Sequence, residues 1–206
     1  MWVVKLGGSL THDPNLTDWL QALAPLPVVI VPGGGPFADS VRDAQAVWRF
    51  SDQAAHDMAI LAMQQYGRML ADLGGGLATL GNLADWTPSD KARVWMPDPT
   101  DLADIPPSWN ITSDSLAAWL SGKLRATDLL LVKAGLSGPR DAWGYGDKAA
   151  VSRLAFVGLI DKAFAGYASA SGARCWMCGK DSHREFAERL IAPAWNFCLL
   201  EIRPAR

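Results

Sequence analysis

The chain has 206 residues, half of them apolar, and a formal net charge of −2. This is enough for one ordinary domain with a sizeable core. Charges of both signs are scattered without a basic stripe, no stretch is long and apolar enough to cross a bilayer, and three cysteines make no disulfide framework. We therefore expect a cytoplasmic protein that binds neither nucleic acid nor membrane.

Short apolar runs alternate with helical patterns along the chain. Four helices are expected: from a cap at Ser51 to Leu73, from a cap at Thr112 or Ser113 to Leu124, over roughly Leu159–Ser171, and over His183–Leu190. This alternation predicts an α/β fold with a mostly parallel sheet and helices on both faces. The runs typical of buried strands are Trp2–Leu6, Val28–Val31, Leu77–Leu80, Leu129–Val132, Arg174–Met177 and Phe197–Ile202.

Glycines follow the first two predicted strands, in Lys5-Leu6-Gly7-Gly8-Ser9 and in Pro32-Gly33-Gly34-Gly35. Ligands of parallel sheets bind at the carboxyl ends of the strands. Glycine lets backbone N–H groups approach an anion closely, and the lysine adds a mobile positive charge. Two such loops predict a phosphate-binding site, although the long glycine–lysine loop of the P-loop proteins is absent.

Asp114 lies in the first turn of the helix that Thr112 or Ser113 caps. One interpretation is structural, because the helix dipole favours a carboxylate there. The other is that Asp114 holds one or two phosphate-binding lysines in position. Phosphoryl transfer depends mainly on electrostatic positioning, so a set of lysine, aspartate and glycine residues is typical of its machinery.

Three segments, Lys5–Ser9, Pro32–Gly35 and Asn110–Asp114, in this order resemble the motifs of the amino acid kinase superfamily, which includes N-acetylglutamate kinase, aspartokinase and uridylate kinase. The resemblance covers roughly Trp2–Gly179. It implies a single three-layer αβα domain over residues 1–206, with the acceptor bound by the N-terminal half and ATP, with Mg²⁺, by the C-terminal half. It also implies a small-molecule kinase that forms homo-oligomers.

The same resemblance assigns roles to individual residues. It implies that Lys5 and Asp114 are catalytic, and it makes Lys162, in Gly158-Leu159-Ile160-Asp161-Lys162, the candidate for a second catalytic lysine. The nucleotide phosphates fall to Gly7, Gly8 and Ser9. The acceptor falls to Gly33, Gly34, Gly35 and Asn110.

Two segments near the expected nucleotide site depart from the family pattern. Where a Thr-Asp-Val-Asp-Gly-like segment is common, this chain has Leu131-Val132-Lys133-Ala134-Gly135-Leu136. Lys133 is therefore a candidate contact of the ATP phosphates, although a strand-end lysine is often only exposed. The segment Gly144–Lys148 either wraps the nucleotide or forms a polar turn.

The helix beginning Ser51–Ala59 and the segments Thr112–Ser115 and Leu131–Lys133 resemble the aminomethylfuran phosphate kinases of methanofuran biosynthesis. That resemblance implies conversion of a phosphate monoester, [5-(aminomethyl)furan-3-yl]methyl phosphate, to its diphosphate. His56 is a candidate donor to this acceptor, or else a structural residue. Two alternatives stay open: a carboxylate or carbamate kinase that forms an acyl phosphate, and a non-catalytic relative that binds nucleotide or oxyanions. The candidates for a partner of the acceptor's amine are Asp39, Asp52 and Asp57.

The segment Cys175-Trp176-Met177-Cys178 has the spacing of half a zinc or redox site. No second ligand pair follows at a suitable distance, and on a strand the two sulfurs point to opposite faces. We therefore expect a structural role for both cysteines and predict no metal site in the protein itself.

Overall fold

The computed structural model describes residues 1–136, 148–191 and 200–203. The strands are β1 (Trp2–Leu6), β2 (Val28–Pro32), β3 (Ala78–Leu80), β4 (Arg93–Trp95), β5 (Asp128–Lys133), β6 (Lys148–Ala150), β7 (Arg174–Gly179) and β8 (Leu200–Arg203). The α-helices are α1 (Asn15–Leu23), α2 (Gly35–Trp48), α3 (Asp52–Leu73), α4 (Ser113–Lys123), α5 (Val151–Phe156), α6 (Phe164–Ser171) and α7 (His183–Ile191). None of the described helices is both long enough and apolar enough to cross a bilayer.

The eight strands form one sheet in the order β3-β4-β2-β1-β5-β7-β8-β6. Every described pair is parallel except β7 with β8. From β1 the chain first builds outward through β2 and then returns to place β5 on the other side of β1. The strand order therefore reverses between β1 and β5, which is where open parallel sheets bind their ligands. The predicted mostly parallel α/β sheet is confirmed.

Alternate residues of the central strands enter two separate cores. In β1, Val3 belongs to the core under α4 and α6, whereas Val4 and Leu6 belong to the core under α1 and α7. Helix α3 contributes to both cores. Because helices cover both faces, the inner strands are continuously apolar, as the sequence predicts for parallel strands. The result is the expected three-layer αβα arrangement.

Several elements differ from the sequence-based expectation. The helix predicted over Leu159–Ser171 begins only at Phe164, because Gly158 has φ of +74° and the carboxylate of Asp161 is used elsewhere in the fold. Strands β4 and β6 and helices α1, α2 and α5 are additional, and each of these two strands has only three residues, too few for a clear pattern. Residues 197–199 of the last predicted strand and 144–147 of the expected nucleotide segment lie outside the described residues.

The two cysteines of β7 lie in opposite cores, Cys175 on the α4 side and Cys178 on the α7 side. Burial raises the pKa of the Cys175 thiol to about 12, with the charge of Asp128 adding to the effect. That thiol is therefore protonated at neutral pH and is not a nucleophile. Within the described parts of the chain no group of three metal-binding side chains is found.

Candidate active site

Lys5 and Lys133 lie at the point where the strand order reverses. Lys5 is the second-last residue of β1, and Lys133 is the last residue of the neighbouring strand β5. Lys5 is in register with Leu131, so Lys133 lies two residues further along and on the same face of the sheet. This is the face that α4 covers, and Asp114 lies in the first turn of α4. The topology therefore brings two cations and one carboxylate to one point.

Asp114 pairs with both lysines. The Nζ of Lys133 donates a hydrogen bond to Oδ2 of Asp114 at 2.6 Å, and the Nζ of Lys5 lies 2.9 Å from Oδ1. Oδ1 lacks a partner with hydrogen-bond geometry, so its contact with Lys5 is an ion pair without the directionality of a hydrogen bond. The exposed fraction of the three side chains is only 6 to 12%. A buried group with two ammoniums and one carboxylate carries a net positive charge.

The pKa values of this group follow from burial and mutual charge. Burial alone would raise the pKa of Asp114, but the charges of Lys5 and Lys133 and the hydrogen bond from Lys133 outweigh it and lower the pKa to about 2. Burial and the charge of Lys5 lower the pKa of Lys133 to about 8, with Asp114 acting in the opposite direction. Asp114 is thus ionised at all physiological pH values, whereas Lys133 begins to lose its proton slightly above neutrality.

Asp161 fixes the start of α4 and with it the position of Asp114. The Oδ2 of Asp161 accepts hydrogen bonds from the backbone N–H groups of Thr112 and Ser115, each at 2.9 Å, and from the Thr112 hydroxyl at 2.9 Å. The Ser115 hydroxyl donates to the other oxygen. Thr112 occupies the N-cap position, as predicted, but the capping acceptor is a carboxylate 46 or more residues away in sequence.

The two glycine loops pack directly against each other. A Cβ added at Gly8 would lie 2.1 Å from the backbone N of Gly35, and one at Gly33 would lie 2.3 Å from the backbone N of Gly8. Gly33 also donates its N–H to the carbonyl of Leu6 at 2.9 Å. Gly35 has φ of +56°, which favours glycine. These glycines are therefore required by close backbone approach, apart from any ligand.

A cavity of about 650 Å³ opens above the lysines. Lys5 and Lys133 form its floor, next to Gly7, Gly8, Gly34 and Gly35. A second side of the cavity, which we call the α2–α3 wall, is formed by residues of α2, of α3 and of the segment before α4. Its polar residues are Asp39, Arg42, Asp52, His56, Ser108, Trp109 and Thr112.

Most of the predicted site residues meet in this cavity. Asp114 lies beneath the two lysines, and the predicted residues that line the cavity are Lys5, Gly7, Gly8, Ser9, Gly34, Gly35, His56 and Lys133. Besides Asp114, three predicted residues do not line it. Gly33 is buried between the loops, and Asn110 and Lys162 are exposed. The lysine that joins Lys5 at Asp114 is Lys133, because β5 adjoins β1, whereas Lys162 follows the residue that caps α4.

Arg42 and Trp109 are cavity residues that the sequence patterns did not single out. Arg42 follows Gly35 by two helical turns, so helical spacing from the glycine loop places it on the same face of α2. That signal could have been used had α2 been predicted. Trp109 ends the proline-rich segment that begins at Pro97. Leu102 and Ile105 of this segment are buried against the core, and this packing brings Trp109 to the cavity.

Comparison with known proteins gives one similar curated sequence and several similar structures. A [5-(aminomethyl)furan-3-yl]methyl phosphate kinase from Methanocaldococcus jannaschii is 34% identical over 143 residues. The similarity spans 64% of this chain and 64% of that protein. No protein-family model matches the chain.

The similar solved structures cover nearly the whole chain at low identity. A uridylate kinase from Archaeoglobus fulgidus has a TM-score of 0.69 at 14% identity, covering 98% of this chain and 99% of its own. A UMP kinase from Bacillus anthracis has 0.68 at 14%, covering 100% and 96%. An aspartate kinase from Synechocystis has 0.62 at 12%, covering 100% of this chain and 40% of its own. At these identities the likeness shows the fold. The chain therefore has the fold of the uridylate and aspartate kinases, and over 64% of its length its sequence is similar to that of the Methanocaldococcus jannaschii kinase.

Proposed function

We propose that this protein transfers the γ-phosphoryl group of ATP to a phosphate monoester and forms a diphosphate. The observation that carries the proposal is the pairing of Lys5 and Lys133 with one buried aspartate, next to two glycine loops. Such a group presents fixed positive charge and backbone N–H groups where the transferring phosphoryl needs them. Asp114 would act by positioning the lysines and would not touch the substrate.

The balance of the reaction fits this arrangement. An oxygen of the acceptor phosphate attacks the γ-phosphorus, the bond to the β-phosphate oxygen breaks, and ADP leaves with the bonding electrons. A phosphate monoester has a second pKa near 6, so about neutral pH its attacking oxygen carries no proton that a base must remove. Lys5 and Lys133 would neutralise the oxygens of the transferring group and need not exchange a proton.

Kinases use ATP with magnesium, which neutralises and bridges the phosphates. Mg²⁺ prefers carboxylate and phosphate oxygens. Among the described cavity residues, Asp39 and Asp52 lie on the α2–α3 wall, and Asp114 below the floor is already paired with two lysines. The described residues therefore offer no carboxylate beside the lysines for the metal, and it would be held by the phosphates themselves.

The acceptor we propose is an aminomethylfuran phosphate, as in the name of the methanogen relative. The cavity supports an acceptor with charges of both signs. Arg42 and His56 lie on the α2–α3 wall together with Asp39 and Asp52, whereas Asp57 does not line this cavity and accepts a hydrogen bond from Gln53. Of the three candidate partners for the amine, the geometry therefore favours Asp39 and Asp52.

An acceptor screen tests this assignment. We expect ATP consumption with aminomethylfuran phosphate and little with the corresponding alcohol, because the alcohol lacks the anion that the cations would bind. Efficient phosphorylation of N-acetylglutamate or carbamate, with none of aminomethylfuran phosphate, would contradict the assignment.

Burial lowers the pKa of His56, with the charge of Asp57 opposing the effect, so His56 is a neutral donor at pH 7. His56→Ala should raise the KM for the phosphate acceptor roughly two- to tenfold, the range of one neutral hydrogen bond, and leave the KM for ATP unchanged.

The pKa of Lys133, about 8, predicts an alkaline loss of activity. Lys133 is positive below that pH and neutral above it, so kcat/KM for ATP should be constant near pH 7 and fall as the pH rises through about 8. ATP phosphates would raise the pKa once bound, so kcat should decline at higher pH than kcat/KM. In Lys133→Arg the guanidinium stays protonated, and the decline should move to higher pH. An identical pH profile in this variant would exclude Lys133 as the titrating group.

A further inference from the structure

Arg42 is a third cation of the cavity and has no strong partner among the described residues. Lys5, Lys133 and Arg42 are the lysine and arginine residues of the described lining. The Nη1 of Arg42 lies 3.4 Å from Oδ1 of Asp39, but the exposed fractions of the two side chains are 52% and 69%. An exposed ion pair at this distance contributes little to stability. Arg42 therefore has no buried counter-charge, whereas the two lysines share the carboxylate of Asp114.

Trp109 holds the guanidinium of Arg42 at the cavity. The Cζ of Arg42 lies 4.5 Å from the centroid of the Trp109 ring, within the range of a cation–π contact. The indole N–H of Trp109 donates to Oε1 of Gln45 at 2.6 Å. The amide nitrogen of Gln45 in turn donates to Asp52 at 2.9 Å and to the carbonyl of Phe50 at 3.1 Å. The ring is thus tied to the end of α2 and the start of α3.

The direction of the Arg42 side chain also fits a ligand at the glycine loop. Side chains of a helix point toward its N-terminus, and the contact with Asp39, one turn earlier, shows that Arg42 follows this rule. The N-terminus of α2 is at Gly35, in the loop above the lysines. The guanidinium of Arg42, directed toward this N-terminus, therefore lines the same cavity as Lys5 and Lys133.

The charges of the floor make a further cation necessary for a phosphate acceptor. Lys5 and Lys133 together with Asp114 leave one net positive charge. The reaction brings a phosphate dianion next to the triphosphate of ATP, so an acceptor of this class needs cationic support beyond the floor. The planar fork of arginine suits two phosphate oxygens at once.

We infer that Arg42 binds the phosphate of the acceptor, and that Trp109 is a positioning residue that holds the guanidinium for it. This inference rests on the proposed function, since it names the residue that selects a phosphate monoester in the same site. According to this inference, a residue of α2 discriminates phosphorylated from unphosphorylated acceptors, whereas Lys5 and Lys133 act on the transferring phosphoryl group.

Calorimetric binding to the intact protein tests the inference, with aminomethylfuran phosphate, its alcohol and ATP as ligands. Arg42→Gln should raise the Kd of the phosphate about tenfold or more, the loss expected for a hydrogen bond to a charged group. The Kd values of the alcohol and of ATP should stay the same. Arg42→Lys keeps the charge without the fork and should give an intermediate Kd. Arg68→Gln is the matched control, because Arg68 is exposed on α3 outside the cavity and loses the same charge.

A double-mutant cycle tests the role of Trp109. Trp109→Ala should weaken binding of the phosphate, but it should add nothing further in the Arg42→Gln background if the ring acts only through the guanidinium. Additive losses, or a parallel loss of ATP binding, would overturn the positioning role. If the wild-type protein uses aminomethylfuran phosphate and Arg42→Gln binds it equally well, the inference about Arg42 is wrong while the proposed function stands. A wild-type protein that phosphorylates no phosphate monoester would refute both.

Discussion

Lys5→Ala is expected to lower kcat by about two orders of magnitude or more, the loss typical of one preorganised donor to the transition state. The ammonium of Lys5 is buried at the end of β1 and faces the cavity beside Gly7 and Gly8. Negative charge on the transferring oxygens must be neutralised there as the phosphoryl group moves. Because this charge develops mainly in the transition state, the KM for ATP should change much less than kcat.

The fold should survive the change, because Asp114 keeps its hydrogen bond to Lys133. Lys91→Ala is a suitable control, since Lys91 is exposed just before β4, at the opposite end of the strands from the glycine loops. Steady-state kinetics and thermal melting of both variants give the comparison. A Lys5→Ala protein with near-normal kcat would remove Lys5 from the mechanism.

Asp114→Asn is expected to lose both turnover and stability. The amide is nearly isosteric with the carboxylate, but the carboxylate is the buried counter-charge of two ammonium groups. Breaking a buried ion pair from one side costs about 3–5 kcal/mol, and release of a proton by Lys133, whose pKa is already about 8, should reduce that cost. Turnover should fall by roughly two orders of magnitude or more, because a neutral Lys133 no longer supports the phosphoryl group.

Thermal melting alongside kinetics checks this prediction, with Asp72→Asn, at an exposed position near the end of α3, as the matched control. If Asp114 were only a helix-terminal charge, the amide would cost a fraction of a kcal/mol and activity would persist. The stabilisation by the ionised Asp114 carboxylate depends on pH. Because its pKa is lower in the folded than in the unfolded protein, the stabilisation is complete above the unfolded pKa near 3.8. It is lost as the pH falls through the folded pKa of about 2.

Features encoded by neighbouring residues were predictable from the sequence. The continuous apolar runs of β1, β2 and β5 predicted buried parallel strands, since each is covered on both faces. The cap at Ser51 was predicted as well, and its Oγ accepts the backbone N–H of Ala54 at 3.2 Å. Glycine loops at the ends of β1 and β2, with Lys5 beside them, placed the candidate site at the edge of the sheet where the cavity lies. Each of these signals lies within a few residues of the feature that it predicts.

Contacts between distant segments depended on the tertiary structure. Lys133 rather than Lys162 joins Asp114, because β5 pairs with β1 while Lys162 lies in a turn before α6. Helix α4 is capped by Asp161, so a residue predicted to be inside a helix instead fixes the start of another. Arg42 meets Trp109 only because residues 97–109 pack against the core. The sequence by itself thus determined which residue types and strands form the site. Which of them touch was decided by the strand order and by the packing of helices on the sheet, since these bring together residues far apart in the chain.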